Sequence, residues 1–155
     1  MAADDGMDAR FGKARALTCR FATTLLAMAG GCLLIAFVRT QALVLGVTVV
    51  TGVMNAAAFG TALQYFSLFP PACGGYYFMG ASLSSLATIA LTFATGFQAP
   101  DPSAATFTAF YTGASALIFA GLVAVLALMR APIGAHYMAL SEARAAAARA
   151  SLSAM

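Results

Sequence analysis

Charge is what this chain has least of. No Asp, Glu, Lys or Arg stands between Arg39 and Asp101, and a second uncharged run extends from Pro102 to Met129. A soluble domain solvates its outer face with charge, about a quarter of its residues. Here 8% are charged and 62% hydrophobic, and the mean hydropathy is +0.89. Hydrocarbon penalises a charge by roughly 2.5–3.5 kcal/mol at mid-bilayer, so long neutral runs bounded by charge sort the chain into a membrane. The alternation of polar and apolar residues that marks a transmembrane barrel is missing too, which leaves helices.

Other absences exclude chemistry. Cys19, Cys32 and Cys73 show no CxxC spacing, and the single histidine, His136, has no cluster around it, so zinc, haem and dithiol sites lack ligands. Three buried thiols are the expectation. There is no serine-nucleophile motif, no phosphate-binding glycine loop and no pair of intramembrane carboxylates. The chain is therefore read as no enzyme, with no cofactor and no metal. No basic stripe with interleaved aromatics exists, which argues against nucleic acid as a partner. The leader, residues 1–20, lacks the apolar core of a signal peptide and is expected to be retained.

What is present are four apolar runs, at about 21–38, 42–69, 74–97 and 107–129, each long enough to cross a bilayer at about 20 residues per span. The fold class is all-α: an integral membrane protein of four transmembrane helices. Pro70-Pro71 closes the second run, and the segment 98–103, with Asp101, supplies turn residues after the third. The tail, 130–155, is alanine-rich and suits a surface helix or a frayed end. Arg10, Lys13, Arg15 and Arg20 precede the first span and Arg130, Arg144 and Arg149 follow the fourth, leaving Arg39 alone on the other side. Both termini are thus expected in the cytoplasm, with Asp101 capping a turn on the far side. The flanking cations, which give the +3 net charge, answer to anionic lipid headgroups.

Inside the spans, Gly46, Gly52, Ala56 and Gly60, and the Gly80, Ser84, Thr88 face, are small enough for tight helix packing. The hydroxyls from Ser82 to Thr95 are expected to bond back to their own helix. Asn55 and Gln64 each offer two donors and an acceptor, the equipment for reading a nucleobase edge or a ribose hydroxyl. An interhelical hydrogen bond is the plainer use of either. Nine positions put them on opposite helix faces, so they cannot easily serve one ligand together. His136 and Tyr137 suit headgroup depth.

Read in order, the chain resembles the third to sixth transmembrane segments of the equilibrative nucleoside transporter family. The landmarks are a basic run into a helix closing on Val38-Arg39, then Phe59-Gly60-Thr61-Ala62-Leu63-Gln64, then Ser67-Leu68-Phe69 and a proline turn. Met79 to Ser85 is similar to the family's glycine-rich fifth segment, and Pro132 to Tyr137 to the stretch before its large cytoplasmic loop. The resemblance implies facilitative passage of nucleosides or nucleobases, sometimes with proton coupling, through a cavity in a larger, major-facilitator-like bundle. It assigns substrate contact to Gln64 and cavity shaping to Gly60, with Asn55 replacing the glutamine in an alternative register. The family has eleven spans, so the chain would be a partial or truncated transporter completed by further helices. The alternative is a structural or assembly subunit held to a partner by its small-residue faces.

Overall fold

The computed structural model describes residues 13–38 and 40–153. The start of the leader with Arg10, the linker Arg39, and the side chains of Lys13 and Arg149 lie outside the described residues. The described chain is all-α: α1 (Lys13–Phe37), α2 (Gln41–Phe66), α3 (Pro71–Thr95), α4 (Ala104–Arg130) and α5 (Pro132–Ser153). The first four are each long and apolar enough to span a membrane, and they fit an integral membrane protein.

The helix ends follow local chemistry. α2 ends at Phe66, three residues before the expected limit, with Ser67 as its cap, because the chain tightens into a turn that leads to Pro70 and Pro71. Pro71 sits at the first turn of α3, where its missing N–H leaves no bond unmade. Gly96 ends α3 in the left-handed conformation (φ 70°), with its N–H donating to the Phe93 carbonyl and that of Phe97 to Thr92. Those two bonds form a Schellman cap, which needs a residue without a Cβ penalty. Ser103 caps α4 by accepting from the Thr106 N–H at 3.2 Å. Ser103 takes this role because it directly precedes the first helical turn.

Packing runs inside-out relative to a soluble protein. Ala16, Ala29, Ala36, Ala58 and Ala62 are buried with Thr24, Thr61 and Ser115, whereas Leu43, Leu45, Val49, Val50 and Val53 are each more than half exposed. Lipid gives large side chains no reason to hide, so small residues that let backbones approach take the interior. α1 is the hub, packed against both α2 and α4. Along the α1–α4 seam the Thr108 hydroxyl donates to the Ala36 carbonyl at 3.1 Å and the Ser115 hydroxyl to the Ala29 carbonyl at 2.9 Å. Both pairs recur at seven residues, and the buried Leu122 and Met129 continue the α4 series. This is the heptad spacing of a left-handed antiparallel pair.

α3 is held differently. Tyr77 near its start rests against Phe66 (ring centroids 4.8 Å) and Phe59 (6.0 Å), and Phe97 beyond its end stacks on Phe110 at 4.3 Å. Between these anchors residues 78–90 are exposed. The glycines expected at tight contacts, Gly46, Gly52, Gly60 and Gly80, have open space where a Cβ would stand. Their faces turn away from α1, the helix that organises the packing. The close approaches fall instead at Gly31 against Thr51, Gly113 against Leu91, and Gly134.

Gly134 lies in the first turn of α5, where the chain folds back beneath the bundle. Met138 is buried with Leu17, Phe21, Ala62, Tyr65 and Met129, and Tyr137 meets Phe69 at 4.9 Å. The tail is thus helical, and its beginning is docked to the bundle. A Cβ on Gly134 would lie 2.5 Å from the Leu128 carbonyl oxygen and 2.8 Å from the Tyr65 hydroxyl. Backbone cannot yield there as a side-chain tip can, so Gly134→Ala should destabilise the fold by about 1–3 kcal/mol. A lowered thermal midpoint in mild detergent checks this; an unchanged midpoint contradicts the docked elbow.

Candidate functional site

A groove lies between α1, α2 and α4, with α3 as its outer wall. One section, about 280 Å³, is lined by Phe21, Asn55, Ala58, Phe59, Ala62 and Tyr77 among others. A second, about 460 Å³, shares Phe21, Phe59, Ala62, Tyr77 and Val125 with the first and continues to Tyr65, Tyr76, Gly80, Ala81 and Ser84. The groove exists because α2 and α3 meet only near the aromatic anchors. Two helical faces build it by the same rule. Asn55, Ala58, Phe59 and Ala62 on α2 are spaced i, i+3, i+4, i+7, as are Tyr77, Gly80, Ala81 and Ser84 on α3.

That spacing separates the residues expected to bind substrate. Asn55 is exposed but lines the first section, and its amide makes no hydrogen bond among the described residues. Gln64 lies two and a half turns further on and lines neither section. It is exposed, and its Oε1 accepts from the Arg20 Nη1 at 3.3 Å. Gly60 is exposed as well, faces open space and lines neither section. Of the three residues, the structure brings only Asn55 to the groove.

The hydroxyls behave as helix chemistry predicts. Ser84 donates to the Ala81 carbonyl at 2.7 Å, Thr88 to Ser84 at 3.0 Å and Thr92 to Thr88 at 2.8 Å. Such back-bonding leaves them little donor capacity for a ligand. The thiols differ from expectation. Cys19 is exposed and Cys32 and Cys73 are half-buried, since none falls on a face that α1 packs deeply. His136 is exposed and meets Tyr137 edge-on at 5.4 Å.

Sequence reasoning passed over the aromatic walls, Phe21, Phe59, Tyr76 and Tyr77. The i, i+3, i+4, i+7 series through Phe59 and Tyr77 was the available signal. Among the described residues no charged side chain lines either section. A charged ligand would therefore lose hydration without finding a counter-ion. The arrangement suits a neutral, flat molecule: aromatic rings contact its faces, and an amide that both donates and accepts can read its polar edge.

No protein-family model, no curated protein and no solved structure matches the chain.

Proposed function

We propose that the chain takes part in the facilitative passage of nucleosides or nucleobases across a membrane, as four helices of a larger transporter of the equilibrative nucleoside type. The observation that carries this reading is the uncharged aromatic groove with Asn55 opening into it. Nucleosides are neutral, have one flat ring and present donors and acceptors at its edge, which matches that inventory. Within the resemblance, the register that puts Asn55 in the substrate-facing position is favoured over the one that uses Gln64, whose carbonyl oxygen is engaged by Arg20. The solute would travel at mid-bilayer depth, the wall opposite α1 being completed by further helices. The excess of arginine and lysine at the start of α1 and the end of α4 orients both termini to the cytoplasm.

Uptake of radiolabelled uridine and adenosine into vesicles tests the reading, with the chain alone and with whatever reading frame adjoins it. Saturable uptake that the unlabelled nucleoside competes away is expected. Linear, non-competable entry in both cases removes the transport claim.

The competing reading is a structural subunit of a membrane complex. The exposure of Gly80, Ser84 and Thr88 favours it, because small residues at four-residue spacing pack helices closely and these have no partner helix among the described residues. Under that reading Gly80→Leu would strip a co-purifying protein from the chain, and no solute dependence would be found.

A further inference from the structure

A third pocket stands apart from the groove, at the end of the bundle where α1 begins and α4 closes. It has a volume of about 380 Å³, and α1, α4 and α5 enclose it. Arg15 and Arg130 flank it, brought together from opposite ends of the sequence by the antiparallel seam. They are also the residues at which the first apolar span starts and the fourth stops, so both sit at one membrane edge. Among the described residues neither makes an ion pair, and no carboxylate lines the pocket. The wall also includes the apolar Ala22, Leu126 and Met138, and the one hydroxyl, that of Thr18, donates to the Met129 sulfur at 3.9 Å.

We propose that this pocket binds one anionic phospholipid, with its phosphate between Arg15 and Arg130 and the start of an acyl chain against Ala22, Leu126 and Met138. Guanidinium groups suit the ligand because their donors match phosphate oxygens in pairs, and at a membrane edge they keep the hydration that mid-bilayer would strip away. Two cations, with no acid among the described residues that line the pocket, also select against a zwitterionic head, whose ammonium they would repel. The apolar floor distinguishes a lipid from free phosphate, which would gain nothing from it. The volume falls in the range of small-ligand sites, about 300–1,000 Å³, enough for a headgroup and the first methylenes.

Native mass spectrometry of the full chain in detergent, with phosphatidylglycerol, phosphatidylcholine or inorganic phosphate added, reads the binding directly. One phosphatidylglycerol per chain is expected to survive where phosphatidylcholine is stripped, and excess inorganic phosphate should leave it in place. R15Q/R130Q should bind it roughly thirtyfold more weakly, each basic side chain at headgroup depth contributing about a factor of five. The tail variant R144Q, with one exposed charge removed, should bind as the parent does. Equal retention of the two lipids, displacement by inorganic phosphate, or equal losses in R144Q and the double variant would each overturn the proposal. A second measurement needs no variant: phosphatidylglycerol with a photoreactive acyl chain should label Ala22, Leu126 or Met138 in the unaltered chain. Labelling confined to α2 and α3 would overturn it as well.

Discussion

Asn55→Leu is expected to cut nucleoside uptake roughly five- to 150-fold, the equivalent of the 1–3 kcal/mol lost when a ligand's polar group faces no partner. Leucine has the same branched four-atom skeleton with methyl groups in place of the amide oxygen and nitrogen, so the substitution removes the donors and acceptor with little change in the outline of the groove. Gln64→Leu should change uptake by less than about twofold, since the side chain faces away from the groove and a surface contact such as its bond to Arg20 contributes little. Phe59→Ala, which removes one aromatic wall, should fall between the two and raise the half-saturating concentration more than it lowers the maximal rate. Initial rates over a range of uridine concentrations separate these cases. If Gln64→Leu abolishes uptake while Asn55→Leu spares it, the substrate-facing register is the other one and the groove is not the path.

The contrast between these two amides shows how far the sequence could be read. The spans were legible because charge is costly in hydrocarbon, and the neutral runs therefore mark the last three long helices to within a few residues, whereas α1 begins at Lys13, eight residues before the expected start at 21, because Ala16 and Leu17 are buried despite the flanking cations. The opposite-face relation of Asn55 and Gln64 followed from helical geometry alone. Which face points inward did not, because in lipid the hydrophobic pattern no longer separates inside from outside. Leu45 and Leu17 are equally apolar, yet one is exposed and the other buried. Glycines misled for the same reason: Gly80 and Gly31 look alike in sequence, but only Gly31 meets a neighbouring helix within the chain. The hub role of α1 was hidden because it depends on long-range pairing between alanine and short hydroxyl residues. That pairing leaves a weak mark in an alanine-rich chain. The heptad Thr108, Ser115, Leu122, Met129 was the trace available, and it points to the seam only once its partner Ala29, Ala36 is recognised.

That seam sets the second large expectation. Ala29 is 7% exposed, and the short side chain of Ser115 reaches its carbonyl at 2.9 Å, so the two backbones run close. Ala29→Leu adds three carbons where no space exists, and overpacking of this kind costs about 1–3 kcal/mol or more. Relief by sliding is blocked, because the hydrogen bond one heptad away, Thr108 to Ala36, fixes the register. Ser115→Ala removes a hydrogen bond without adding bulk and should cost nearer 0.6 kcal/mol, the average for such bonds between membrane helices. Ser115→Gly in the Ala29→Leu background makes room opposite the new side chain and should recover part of the loss, which a double-mutant cycle reads as a coupling energy. Detergent denaturation followed by circular dichroism, with the alkylation rate of the half-buried Cys32 as a local report on α1, measures all three. Ala29→Leu should also impair uptake, since α1 carries Phe21 to the groove and α4 carries Val125. A fully stable Ala29→Leu, or additive effects in the double variant, would show that α1 and α4 are not in register here, and the groove they frame would then have to be redrawn.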